Sequence, residues 1–91
     1  MVRKRILFFG RVQGVGFRYT AVWIAREQGL TGWVRNCLDG SVEMEVQGRE
    51  EDIEILLFRL QENSYIRIRE IKMEDLELAL GEAKFQTKST Y

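Results

Sequence analysis

Gly10-Arg11-Val12-Gln13-Gly14-Val15-Gly16-Phe17-Arg18 ends a strand-like run in a glycine-rich turn and sets an arginine where a helical pattern begins. The strand ahead of it reads from Lys4 to Val12, with Leu7 and Phe9 on one face and Ile6 and Phe8 on the other. Apolar residues on both faces suit a strand in the middle of a sheet. The helix behind it reads from about Arg18 to Gln28, a stretch free of glycine and proline that Gly29 then stops. This is the layout of an anion-binding loop. Glycines let successive backbone N–H groups converge on one point, the helix N-terminus adds partial positive charge, and the Arg18 guanidinium offers a planar fork of donors to phosphate oxygens.

Outward from this turn, Thr31 to Asn36 reads as a second strand and Ser41 to Gln47 as a third. In the third strand Val42, Met44 and Val46 alternate against Glu43, Glu45 and Gln47, and Asp39-Gly40 lies in the link. That is a hairpin with its acidic positions expected to face water. A second helix runs from about Arg49 to Glu62, where Glu50, Glu51 and Asp52 complement the helix dipole and Ile53, Leu56, Leu57 and Leu60 form the buried stripe. A fourth strand occupies part of Ile66 to Leu76. Its alternation slips phase between Ile66/Ile68 and Ile71/Met73, which predicts a bulge near Glu70. Gly81 marks a turn before a short last strand within Ala83 to Ser89. The order β-α-β-β-α-β, plus that short strand, closes most simply as an α+β, ferredoxin-like split βαβ: an antiparallel sheet with two helices on one face. No linker or repeat divides it, so residues 1–91 are expected to form a single domain.

A chain of 91 residues buries one core, and its chemistry belongs in a surface cleft. The 14 Lys+Arg balance 14 Asp+Glu; the positive field of a nucleic-acid binder is missing, and no such partner is expected. The cluster Arg3-Lys4-Arg5 reads as a solvated strand start. One cysteine, Cys37, cannot form an intrachain disulfide, so a reducing cytoplasm is the expected compartment. The apolar run Ile6 to Phe9 is too short for a signal peptide or a membrane span, and no membrane partner is expected. The chain has no histidine, which excludes histidine general-base catalysis and histidine metal sites, and one cysteine cannot build a zinc site. Arginine, amide, carboxylate and backbone groups remain, with no metal and no cofactor expected.

The second informative block is Gly32-Trp33-Val34-Arg35-Asn36, followed by Gly40, Val42 and Gly48. Together with Gly10-x-Val12-Gln13-Gly14-Val15-x-Phe17-Arg18 it resembles, in order and spacing, the paired signature of the acylphosphatases. The element order of the whole chain agrees with that family. The resemblance implies that the loop formed by Gln13, Gly14, Val15, Gly16, Phe17 and Arg18 wraps a phosphate with backbone N–H groups. It implies that Arg18 binds the phosphate oxygens and that Asn36 positions the attacking water. It also implies the reaction: hydrolysis of the carboxyl-phosphate bond of acyl phosphates to a carboxylate and inorganic phosphate, without metal or covalent intermediate. These residue types suit that chemistry. A carboxylate leaving group, with an acid pKa of ~4 to 5, departs without a proton from the enzyme. Amides and a guanidinium stabilise charge on the equatorial oxygens, and a neutral amide can hold a water in line without acting as a base.

Rival readings meet specific objections. Arg18 as a plain helix cap would need no glycine turn ahead of it, and Asn36 alone is an ordinary turn residue that only the paired motif raises to a functional one. Gln13 reads as a loop amide rather than a catalytic side chain, Arg11 and Arg35 as solvated strand residues, and Cys37 as a spectator thiol. Gly14-x-Gly16 is no dinucleotide fingerprint, because Tyr19 stands at the third glycine's place, and no Gly-Lys-Ser/Thr occurs. An RNA-recognition domain shares the element order, but its aromatic motif lies on a central strand, whereas Gly16-Phe17 enters a helix. The surviving alternative is a noncatalytic anion-binding or interaction module of the same fold, which has no need of a water-positioning amide. In the first helix, Ala21-Val22-Trp23-Ile24-Ala25 runs right round the helix. Trp23/Ile24 is therefore expected as an exposed patch, making the chain a monomer or a weak homo-oligomer, unless a long side chain such as Arg26 or Lys84 covers it. Relatives tend to carry polar residues there, and their proline-containing turn before the fourth strand is replaced by Asn63-Ser64-Tyr65. Nothing in the sequence outlines a pocket for the acyl group.

Overall fold

The computed structural model describes residues 1–90. Its elements are β1 (Val2–Arg11), α1 (Phe17–Glu27), β2 (Thr31–Asn36), β3 (Val42–Gly48), α2 (Glu50–Glu62), β4 (Arg67–Leu76) and β5 (Phe85–Thr87). The strands form one sheet in the order β4-β1-β3-β2-β5. β1 therefore lies inside the sheet, as its two apolar faces require. Its Ile6 and Phe8 join Val34, Val42, Met44 and Val46 against Phe17, Ala21, Ile24 and Ala25 of α1 and Ile53, Leu56 and Leu60 of α2. The Phe8 and Phe17 rings meet at 4.9 Å, tying the end of β1 to the start of α1. The antiparallel pairing expected from the sequence holds for β1 to β4. β5 crosses to the far edge and runs parallel to β2. The phase slip in β4 is a bulge: Phe9 pairs with Glu70 and Gly10 with Ile68, leaving Arg69 as the extra residue.

Two expectations are corrected. Glu43 and Gln47 do not face water; Glu43 is only 5% exposed. They point to the sheet face away from the helices, as alternation demands, but arginines and a crossing segment cover that face. Glu43 accepts from Arg5 Nε at 2.7 Å and from Arg35 Nε at 2.8 Å. The Gln47 amide exchanges two hydrogen bonds with the backbone of Ala79, in the run from β4 to β5. Arg3 binds Glu45 and Gln47 and closes a two-pronged contact on Glu82 of the same run. The second correction concerns α1. Ile24 is 2% exposed and packs in the core, because its direction on the helix falls with Phe17, Ala21 and Ala25. The expected Trp23/Ile24 patch reduces to Trp23, 58% exposed. Arg59 of α2 stands 5.6 Å from its ring, held there by Glu27 at 2.6 Å, while Arg26 donates to the Phe85 carbonyl.

Burial pushes the Glu43 carboxyl up, but the guanidiniums of Arg35 and Arg5 outweigh it and hold it below the ordinary carboxylate range. An unfolded glutamate titrates near ~4.3, so this stabilisation is full above that pH and is lost as pH falls through the lowered folded value. The urea midpoint should accordingly fall below about pH 4.3. Glu43→Gln should flatten that fall and lower stability at neutral pH by roughly 2 kcal/mol through the lost charge-assisted bonds. Urea melts of both proteins across the acid range check this, and a neutral-pH midpoint unmoved by Glu43→Gln would contradict it.

Candidate active site

The loop after β1 is shaped by two glycines with left-handed backbone, Gly14 at φ 73° and Gly16 at φ 78°. A Cβ at either would meet nothing within 4 Å, so conformation rather than room demands glycine. Gly16 is also the N-cap of α1, so the helix start carries no side-chain cap, and no acidic residue stands in its first turn. The Thr20 N–H is the first to close on the helix, 3.0 Å from the Gly16 carbonyl. The N–H groups of Phe17, Arg18 and Tyr19 ahead of it have no intrahelical acceptor and carry the positive end of the helix dipole.

These groups border a cleft of about 350 Å³ lined by Val12, Gly14, Gly16, Phe17, Arg18, Tyr19, Asn36 and Thr87. Arg18 enters from the first turn of α1 and Asn36 from the last residue of β2. The split βαβ topology makes them neighbours: α1 leads directly into β2, so the start of the helix and the end of the strand lie at the same end of the sheet. Neither side chain is committed elsewhere among the described residues, whereas Arg3, Arg5, Arg49 and Arg59 are all ion-paired. A cation and an amide, both free to bind, thus share one concave surface with uncapped backbone donors.

The loop residues singled out in the sequence divide. Gly14, Gly16, Phe17 and Arg18 line the cleft. Phe17 does so through its backbone, since its ring is buried against Phe8. Val15 packs partly buried against the core. The Gln13 side chain turns to the β2–β3 link, where Nε2 donates to the carbonyls of Cys37 and Ser41, each at 2.8 Å. That link is itself closed by Cys37 N–H on the Ser41 carbonyl at 2.9 Å and by Asp39, which accepts from the Ser41 hydroxyl and N–H. Those two bonds hold the Asp39 carboxyl below its ordinary range. Gln13 therefore fastens the glycine loop to the residue that follows Asn36. Tyr19 and Thr87 line the cleft without having been anticipated; the short last strand was legible, but not that it would lie beside β2 and bring Thr87 to this end.

A larger groove of about 680 Å³ lies on the opposite sheet face, between Arg5, Leu7, Arg35, Leu38 and Glu43. Its charged groups are spent on one another, through the Glu43 bonds to Arg5 and Arg35. Cys37, a free thiol, borders this groove rather than the cleft. Among the described residues, no three His, Cys, Asp or Glu gather as metal ligands, and no helix is long and apolar enough to cross a membrane.

Residues 4–87 match the acylphosphatase family model. An acylphosphatase of Bifidobacterium longum is 55% identical over 60 residues, 66% of this chain and 62% of that protein. One of Bacillus licheniformis is 42% identical over 86 residues, 93% of this chain and 96% of that protein. The crystal structure of acylphosphatase from Bacillus subtilis superposes with a TM-score of 0.88 at 31% identity, covering 97% of this chain and 99% of that one. Full-length HypF, solved in a phosphate- and nucleotide-bound form, matches with a TM-score of 0.84 at 34% identity; 99% of this chain corresponds to 12% of that one. With Arg18 of the first signature block and Asn36 of the second lining one cleft, residues 4–87 matched by the family model and 97% of the chain matched in fold, the chain belongs to the acylphosphatase family, the hydrolases of acyl phosphates.

Proposed function

We propose that the hydrolysis of acyl phosphates is carried out in this chain at the cleft between the 13–18 loop and the end of β2, with Arg18 and Asn36 in separate roles. The backbone N–H groups around Gly14, Gly16 and Phe17, with the Arg18 guanidinium, bind the phosphoryl oxygens. As the bond to the acyl oxygen lengthens, charge on the equatorial oxygens stays matched by donors that need not reorganise. Asn36 holds a water opposite the leaving oxygen, its carbonyl accepting from the water so that a lone pair faces phosphorus. The carboxylate leaves as a weak base and takes no proton from the protein. The proton of the attacking water passes to the phosphate and solvent, and inorganic phosphate is released.

The observation that carries this reading is the pairing of two uncommitted side chains, one cationic and one neutral, across a single cleft. Steady-state hydrolysis of benzoyl phosphate in the presence of EDTA tests it. Turnover by the wild type is expected, and its absence from a folded protein would overturn the reading. The noncatalytic anion-binding module remains as a second reading, favoured by the match of this whole chain to a small part of HypF. In either case residues 1–91 form one domain of this kind, and we place it in the cytoplasm.

Gln13 supplies a further prediction. Gln13→Ala removes both bonds to the β2–β3 link, and Gln13→Glu keeps the length but cannot donate. Each should lower kcat about 10-fold by loosening the loop relative to Asn36, and lower stability by about 1 to 2 kcal/mol. Kinetics and thermal unfolding of the two variants check this. Wild-type turnover by both would show that the clamp does not position the site.

A further inference from the structure

On a chain of zero net charge the arginines are unevenly served. Arg3, Arg5, Arg35, Arg49 and Arg59 meet carboxylates, and Arg26 meets a carbonyl. Arg11, Arg18, Arg67 and Arg69 have no side-chain partner among the described residues, and all of them lie at the loop end of the sheet. Arg18 belongs to the cleft already described. Arg11 and Arg67 are directly opposite one another in the β1–β4 register. Like charges so placed repel, a cost that an anion between them would remove. Glu70, the nearest acidic residue along β4, pairs with Phe9 in the register and binds neither arginine.

The two arginines line a cleft of about 390 Å³ with Gly14, Val15, Ser64 and Tyr65. Gly14 also lines the phosphate cleft, so the two concavities lie on either side of the same loop. Asn36 sits on β2, and β1 and β4 lie beyond β3 from it. In-line displacement puts the acyl oxygen opposite the water. With the water at Asn36, the acyl group is directed toward the β1–β4 side, where Arg11 and Arg67 stand.

We propose that Arg11 and Arg67, with the hydroxyls of Ser64 and Tyr65 at the rim, form a second anion subsite that takes a carboxylate or phosphate carried at the far end of the acyl group. The substrates it favours are acyl phosphates with a second negative group, such as the monoacyl phosphate of a dicarboxylic acid. This rests on the assignment of the phosphate to the 13–18 loop and of the water to Asn36. The contact leaves the chemistry alone and acts on KM, because the remote anion is bound alike in the ground and transition states.

The test compares succinyl phosphate with acetyl phosphate, which lacks the remote charge, in wild type, Arg11→Gln, Arg67→Gln and Arg67→Glu. The ratio of kcat/KM for succinyl over acetyl phosphate should fall about 5- to 10-fold in each glutamine variant, through KM. Arg67→Glu, which gives Arg11 an internal partner, should lower the ratio further and raise the thermal midpoint. A fall in the ratio for succinyl phosphate but not for an acyl phosphate ending in phosphate would narrow the subsite to carboxylates. An unchanged ratio in all three variants, with both substrates still hydrolysed, would overturn the subsite and leave the catalytic assignment standing. Failure of the folded wild type to hydrolyse either substrate would overturn both together.

Discussion

Arg18→Ala should abolish phosphate binding and lower kcat/KM for benzoyl phosphate by about 10³-fold or more. Among the described residues, Arg18 is the only side-chain cation lining the cleft, and arginines that stabilise a transferring phosphoryl group are worth this much elsewhere. Removing it leaves the backbone N–H groups at the start of α1, which retain part of the positive potential but no bidentate fork. Arg18→Lys keeps the charge without the fork and should recover only part of the loss. Binding can be read apart from turnover through stability. Phosphate at a hundred times its Kd should stabilise the wild type by about 2.7 kcal/mol, a shift of roughly 10 °C or more in Tm for a domain of this size. Arg18→Ala should show no such shift. A variant that keeps it would place the phosphate elsewhere. Because the Arg18 side chain has no partner to lose among the described residues, the substitution should leave the fold intact.

Asn36→Ala should do the opposite. Phosphate should still raise Tm, and its inhibition constant should stay near the wild-type value, because the donors proposed for the phosphate are those of the loop and α1. Turnover should fall by about 10² to 10³-fold, entirely in kcat, since the interaction lost is with a water that acts only as the transition state forms. The Asn36 backbone pairs with Val42 in the β2–β3 ladder and is unaffected by truncation. Equal loss of phosphate binding in both variants would dissolve the division of roles. Asn36→Asp would present a carboxylate to the phosphoryl group and should weaken phosphate binding as well as turnover, by like-charge repulsion.

The contrast between what the sequence disclosed and what it hid follows from the range of the interactions involved. Element order and the buried stripes rest on local periodicity, so Val42, Met44, Val46, Ile53, Leu56 and Leu60 could be placed from the sequence, whereas the two apolar faces of β1 left open that Ile6 and Phe8 would meet the helices. The bulge at Arg69 was legible for the same reason, as a break in alternation. Alternation says which face of β3 Glu43 and Gln47 occupy, but not that Arg3, Arg5, Arg35 and the run through Ala79 and Glu82 would bury that face. Those partners come from far along the chain. The parallel course of β5 and the arrival of Thr87 in the cleft were hidden likewise. That Gly14, Gly16 and Arg18 would border one cleft was legible because backbone conformation and charge are written in residue type, whereas Asn36, which borders it too, stood out only through the resemblance of its paired motif. The direction of the Gln13 side chain was not, because it is set by carbonyls of the β2–β3 link. The uncommitted pair Arg11 and Arg67 needed the strand register to be seen at all.

The most direct test of the central claim is hydrolysis of benzoyl phosphate by the wild-type protein in ¹⁸O-enriched water with EDTA, followed by mass spectrometry of both products. If water held by Asn36 attacks a phosphoryl group bound at Arg18, as proposed, the label should appear in inorganic phosphate and none in benzoate. Label in benzoate would mean attack at the carbonyl carbon and would contradict the account. So would binding of phosphate with no hydrolysis, which would leave the cleft as an anion-binding module.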